Sequence, residues 1–358
     1  MKTKIFLVIL VVLTVGLSLI YISSQFATSP QKTTMGTGQP ELDISFEPRF
    51  RVVWVQDMGD GRDVDALGST LRLMGLDTGD GKGERAIMDT FGNYMKPLIT
   101  PCGDRVVYSD RIRKMIFVVN WDGSGLRELV GGFGLALWRE PRDGREWVYY
   151  GHEEMMEGGF HCRAVYRMPL DSPGAGELVW DKAPVNIDSF QLSADGKMAG
   201  GNLPWPGGGV AHLPNKSLEI LTKGCWPALT TVKGKTYYWI FDGAHRNLTI
   251  VELQNKKKWQ VRINGAPGIE GHEVYHPRWS NHHRIMAMTG PYKVGLGANR
   301  IAGGGREVEI YVGRFNADLT KIESWWRATK NDRADFFPDV WVAPEDGAKI
   351  DPVKVSGV

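Results

Sequence analysis

Cysteine is scarce in this chain: Cys102, Cys162 and Cys225 are spread over 358 residues. That is too few for a disulfide framework and allows one bridge at most. Neither sign of charge dominates, with 43 basic against 41 acidic residues, and the longest run of like charge is Lys256-Lys257-Lys258. Without a basic face to neutralise phosphates, nucleic acid is excluded as a partner. No G-x-S-x-G elbow, phosphate-binding loop or dinucleotide fingerprint occurs, which removes the enzyme classes built on them. Beyond residue 48 there is no long stretch with a helical apolar period, so the folded part is not a helical protein.

One long apolar run is present, at the amino terminus. Residues 5–22, IFLVILVVLTVGLSLIYI, follow Lys2 and Lys4 in the pattern of a bacterial export signal or membrane anchor. Roughly 18 apolar residues just span a bilayer, and the basic start holds the amino terminus inside. Gln25 spoils the small-x-small cleavage site that ends at Ala27, so an uncleaved anchor over residues 1–27 is favoured over a cleaved signal. The expectation is an exported protein held at the inner membrane, facing the periplasm or cell exterior. Residues 28–47, rich in Ser, Thr, Gln, Gly and Pro, read as a flexible linker.

From residue 48 to 343, short alternating or β-branched segments are separated by Gly, Asp, Asn and Pro, the pattern of an all-β protein. The segments recur as a unit of four strands, most clearly in YMKPLITPCGDRVVYSDRIRKMIFVVNWDGSGLRELV, residues 94–130. Inner strands recur at 92–100, 134–140, 186–193, 224–230, 273–280 and 335–343, a spacing of roughly 40–50 residues that suits four-stranded blades. The first unit has three strands and the last has one, so the spacing predicts a six-bladed β-propeller in which 335–343 pairs with 49–57. Residues 344–358 are left as a tail. The hairpins TPCGDRVVYSD and QLSADGKMAGG and the ending NWDGSGLRELV resemble the repeat of TolB-like, WD-repeat-like propellers.

The string His272-Glu273-Val274-Tyr275-His276 matches the H-E-x-x-H of zinc peptidases. That motif works on a helix, where the two histidines lie one turn apart and can share a zinc at about 2.1 Å. Here Pro277 pushes His276 out of the helical region, and the repeat assigns the segment to a strand, where residues four apart are separated by roughly 13 Å. Coincidence is therefore the reading of the residues.

In a propeller, the loops entering each inner strand and those joining the second and third strands open around one mouth. The expected ligand contacts there are Lys96, Asp188, Trp226, Tyr292, Arg300, Arg333 and Asp335, together with a long loop carrying His152 to His161. Aromatic and Arg-rich mouths suit sugars and uronates, so the first hypothesis is a membrane-anchored binding propeller for a glycan or protein partner. The resemblance also admits a polysaccharide lyase, because oligogalacturonate lyases share the TolB-like fold and hold a divalent metal on histidines. On that reading His245, His272 and His276 would hold the metal, and Arg246, Arg278 or Lys293 would neutralise charge or remove the proton.

Overall fold

The computed structural model describes residues 49–294 and 303–344, all in the second of two units, Asp43–Val358. The apolar run, the linker, Arg300 and the tail beyond residue 344 lie outside the described residues. Among those described, no helix is long and apolar enough to cross a membrane.

The strands form six antiparallel four-stranded sheets and one sheet of three strands. The six inner strands are Tyr94–Ile99, Phe133–Arg139, Phe190–Leu192, Cys225–Val232, Glu273–Trp279 and Asp335–Val342. Each packs against the next, and Asp335–Val342 packs against Tyr94–Ile99, so the sheets close into a β-propeller around an axial tunnel. The closing strand belongs to the carboxyl-terminal end of the chain. Asp335–Val342 pairs with Phe50–Asp57, from Phe50 opposite Val342 to Gln56 opposite Asp335, which is the closure expected from the repeat. Closure leaves no sheet edge open at the seam.

The repeated turn glycines have a packing reason. Trp138 and Trp341 occupy corresponding places on two inner strands, and each reaches over the turn of the following sheet. Trp138 Nε1 donates to Ala194 O at 3.1 Å, and Trp341 Nε1 donates to Pro101 O at 3.0 Å. A Cβ on Gly196 or Gly103 would meet the indole ring at 2.5 or 2.4 Å, and both glycines have positive φ. The "ADG" and "PCGD" turns therefore need glycine both for backbone conformation and for the neighbouring tryptophan. Trp279 is fully buried and stacks on Phe315 at 5.0 Å, which leaves Trp226 as the inner-strand tryptophan that faces the tunnel.

Four inner strands share a second device. Lys96, Trp226, His276 and Phe337 each precede a proline and each has φ between 45° and 50°. Each sits at a register shift in its strand. An inner strand is the free edge of its sheet, so a proline there removes no ladder hydrogen bond. The bulge turns the preceding side chain to the axis, and the four side chains meet around a cavity of about 20 Å³ together with Asp188, Arg278 and three of the prolines. The tunnel is thus plugged at its middle.

Two segments differ from the sequence expectation. His152 to His161 is not an open loop: Glu153–Met156 and Gly159–Cys162 form a hairpin that adds Val185–Asn186 as its third strand. Val185–Asn186 therefore leaves the inner strand expected at 186–193, which is shortened to Phe190–Leu192. The Glu157-Gly158-Gly159 turn, with both glycines at positive φ, makes the hairpin tight enough to fold over the mouth.

Candidate functional site

The plug divides the tunnel into two unequal ends. The mouth side holds a pocket of about 320 Å³ lined by Asp65, Gly158, Asn186, Asp188, Asn202, Trp205, Cys225, Trp226, His245 and Tyr275. No lysine or arginine is among these residues. The far end is a second pocket of about 350 Å³ to which all six inner strands contribute.

Local turns place the mouth residues. In the Asp57–Leu71 connection most carboxylates are spent on the loop itself: Asp57 accepts from Gly59 N at 2.7 Å, and Asp63 accepts from the amides of Asp65, Leu67 and Gly68 at 2.7–3.0 Å. Such Asx-type bonds fix the loop and leave Asp65 directed across the seam, where its Oδ1 lies 3.0 Å from His276 Nε2. His276 Nδ1 lies 3.1 Å from Thr289 Oγ1, whose hydroxyl donates to Tyr275 O.

His245 comes from a turn built by Asp242, which accepts from Arg246 N at 2.9 Å and from Asn247 Nδ2 at 2.8 Å. The turn holds His245 at φ 51° and sets its ring on Phe241 at 5.2 Å and against Tyr275 at 4.5 Å. Nδ1 faces Glu273 Oε2 at 3.5 Å, while Nε2 has no hydrogen-bond partner among the described residues although His245 is 3% exposed. Burial lowers the pKa of His245 below the usual histidine value. The ring is therefore neutral near pH 7, and with Nδ1–H turned to Glu273 its Nε2 is a bare acceptor.

Asp188 touches both the mouth pocket and the plug. Burial first, and then the Asp65 carboxylate, raise its pKa. Beneath it Lys96 Nζ donates to Ile187 O at 2.6 Å. Burial first, and then the Arg278 guanidinium, pull the Lys96 pKa down to about 7. Two donors on the pocket's lining residues are committed to the protein: Tyr275 Oη donates to Glu273 Oε2 at 3.1 Å, and Asn202 Nδ2 donates to Gly224 O at 2.8 Å. The pocket is thus rich in acceptors and aromatic surface.

Of the residues singled out in the sequence, Asp188, Trp226 and His245 line this pocket, and Lys96 and His276 lie in the plug below it. Arg278 is on the far side, where its Nε donates to Asp339 Oδ1 at 2.5 Å. Tyr292 is fully buried with its ring 4.6 Å from Tyr275. Asp335 is fully buried too, and accepts from Trp54 Nε1, Gln56 Nε2 and Asn331 Nδ2 at 2.7–3.0 Å. Both belong to the scaffold. Arg246 is half-buried outside the pocket, Arg333 reaches Asp57 O at 3.5 Å, and Lys293 and His272 are exposed away from it. Sequence reasoning missed Tyr275, Asn202 and Cys225 as pocket walls. Tyr275 could have been found from the repeat, because it immediately precedes the bulged His276.

The expected metal ligands do not assemble. Glu273–Trp279 is a strand, His272 is exposed at its start while His276 is buried in the plug, and no group of three or more His, Cys, Asp or Glu among the described residues could hold a metal ion. The donor set does not fit the metal of a lyase, and the spacing on a strand does not fit a zinc peptidase.

No family sequence model matches the chain, and no curated protein matches it in sequence. Solved structures share its fold. TolB from Acinetobacter baumannii is 14% identical over 81% of this chain and 66% of that one, with a TM-score of 0.52. Hydrazine synthase from Kuenenia stuttgartiensis is 12% identical over 82% of this chain and 47% of that one, with a TM-score of 0.54. A chain of a nidogen/laminin complex is 9% identical over 82% of this chain and 98% of that one, with a TM-score of 0.50. The chain spans 66% of the length of the TolB chain it matches. At such identities the likeness concerns the fold.

Proposed function

We propose that this chain, whose fold is a TolB-like β-propeller, is an exported six-bladed binding propeller that takes a small hydroxyl-rich ligand, a carbohydrate, in its mouth pocket. The observation that carries the reading is the pocket itself: a dead end of about 320 Å³ with three aromatic walls, Trp205, Trp226 and Tyr275, beside the acceptors Asp65, Asp188 and His245. Aromatic faces stack on the C–H surface of sugar rings, and fixed acceptors orient the hydroxyls. The same acceptors disfavour a uronate, whose carboxylate would meet Asp65 and Asp188. A lyase would also need its basic group beside the substrate, and Arg278 does not line the mouth pocket and is paired with Asp339.

Glycan-array binding by the purified full-length protein tests the reading. Trp205→Ala should weaken the best ligand by about tenfold without lowering the melting temperature, and an array without any ligand would defeat it.

A specific feature favours a second reading, a protein partner. Leu67, Phe91, Ile112 and Met155 are exposed on connections of the first three sheets that open on the mouth side. Asn93 Nδ2 donates to Leu67 O at 3.0 Å, Arg111 N donates to Asn93 O at 3.1 Å, and Arg111 pairs with Glu153 at 3.2 Å, so these connections form one continuous rim. An apolar rim of this kind is a docking surface in many soluble proteins. Changing Leu67 and Ile112 together to Ser would abolish capture of a protein partner while leaving glycan binding intact.

A further inference from the structure

The mouth pocket has an imbalance that a neutral sugar would not use fully. Asp65 and Asp188 supply carboxylates, and the wall residue His245 has a buried Nε2 without a hydrogen-bond partner among the described residues. No cationic side chain lines the pocket. The two basic groups nearest its floor are already engaged, Lys96 with Ile187 O and His276 with Asp65 and Thr289. Asp188 carries no side-chain hydrogen bond among the described residues, and burial and the Asp65 carboxylate disfavour its charge against the opposing pull of Lys96, His276 and Arg111. A group that brings positive charge and several N–H donors would relieve both conditions at once. Trp205 and Trp226, both half-buried, border the same space, and an aromatic face attracts a cation through its ring quadrupole.

We propose that the ligand of the mouth pocket carries a protonated amine, as an amino sugar does, with the ammonium held by Asp188, Asp65 and His245 Nε2 and the ring against Trp205 and Trp226. The inference rests on the carbohydrate reading above and narrows it. An ammonium offers three donors from one atom, and the acceptors come from different parts of the chain: the first-sheet loop, the approach to the third inner strand, and the Asp242 turn. A hydroxyl offers one donor and its own lone pairs, which would face the carboxylates. Among sugars the pocket therefore selects an amine over a hydroxyl at one ring position. His245 is the least replaceable of the three acceptors, since the Asp242 turn, the stack on Phe241 and the contact to Glu273 all fix its ring.

Calorimetric titration of the full-length protein with glucosamine, glucose, glucuronate and Nα-acetyl-lysine amide tests this. The expected result is glucosamine binding at least tenfold tighter than glucose, no glucuronate binding, and at least a tenfold loss in Asp188→Asn. Should Asp188→Asn fail to fold, His245→Phe keeps the stack on Phe241 and removes the Nε2 acceptor together with the Nδ1 contact to Glu273; it should cost a similar factor. Equal binding of glucose and glucosamine overturns the amine requirement while the carbohydrate reading stands. Equal or tighter binding of the lysine amide overturns the amino-sugar assignment in favour of a partner's side chain. No binding of glucosamine overturns the inference, and the glycan array then decides the broader reading independently.

Discussion

His276 Nε2 and Asp65 Oδ1 lie 3.0 Å apart although 211 residues separate them in the chain. The contact joins the sixth sheet to a loop of the first, next to the seam where the carboxyl-terminal strand closes the ring. It also links the plug to the wall of the mouth pocket. His276 is buried, so removing its partner leaves a polar nitrogen without an acceptor. Asp65→Ala should cost about 1–3 kcal/mol, read as a lower urea midpoint with an unchanged slope. A variant as stable as the wild type would show that the pair contributes nothing.

Asp335 anchors the closing strand through three donors, Trp54 Nε1, Gln56 Nε2 and Asn331 Nδ2. Asp335→Ala strands buried donors from the neighbouring strand and should destabilise by about 2–4 kcal/mol. Thermal unfolding checks the size; a shift no larger than that of an exposed-loop control would contradict the assignment of Asp335 to the scaffold.

Ending the chain at Ala334 removes the inner strand that pairs with Phe50–Asp57. Two sheet faces and one edge then meet water, so the truncated protein should lack a cooperative melting transition in circular dichroism. A normal transition at the wild-type temperature would contradict closure by this strand.

His282 gives a pH test. Burial first, and then the neighbouring His283, depress its pKa to about 4, and its Nδ1 accepts from Arg284 N at 3.2 Å, a role open only to the neutral ring. The unfolded chain binds the proton more readily, so this contribution is complete above pH 6.5 and is lost as pH falls from about 6.5 towards 4. Asp188 and Asp335, whose pKa values are raised, act in the opposite sense. The comparison must therefore be between variants. His282→Asn, which keeps an acceptor without titrating, should lose less stability than wild type between pH 7 and pH 4.5 in urea melts. Parallel curves would exclude His282 as a source of the dependence.

The architecture was legible because its signals are local and repeated. The turn glycines, the strand alternation and the incomplete first and last units all report on four-stranded sheets, and the pairing of 335–343 with 49–57 followed from counting strands. The site was less legible because its acceptors arise from tertiary contacts. Asp65 stands among Asp57, Asp60 and Asp63 in one loop, and only the fold shows which carboxylates cap that loop and which one crosses the seam. The basic residues were misleading for the same reason. Arg278 follows Pro277 on an inner strand, and the bulge at His276 that turns one side chain into the plug delivers Arg278 to the far end. The four residues before proline were visible in the sequence, but their shared positive φ was not, since a residue before proline ordinarily adopts an extended conformation.

The central claim is that ligand enters the mouth pocket and stops above the plug. A crystal structure of the full-length protein with glucosamine at saturating concentration tests it most directly. The account predicts a ring against Trp205 and Trp226, with its amine within hydrogen-bond distance of Asp188 and His245 Nε2. Ligand bound only at the far end of the tunnel, beside Arg278 and Asp339, would contradict it.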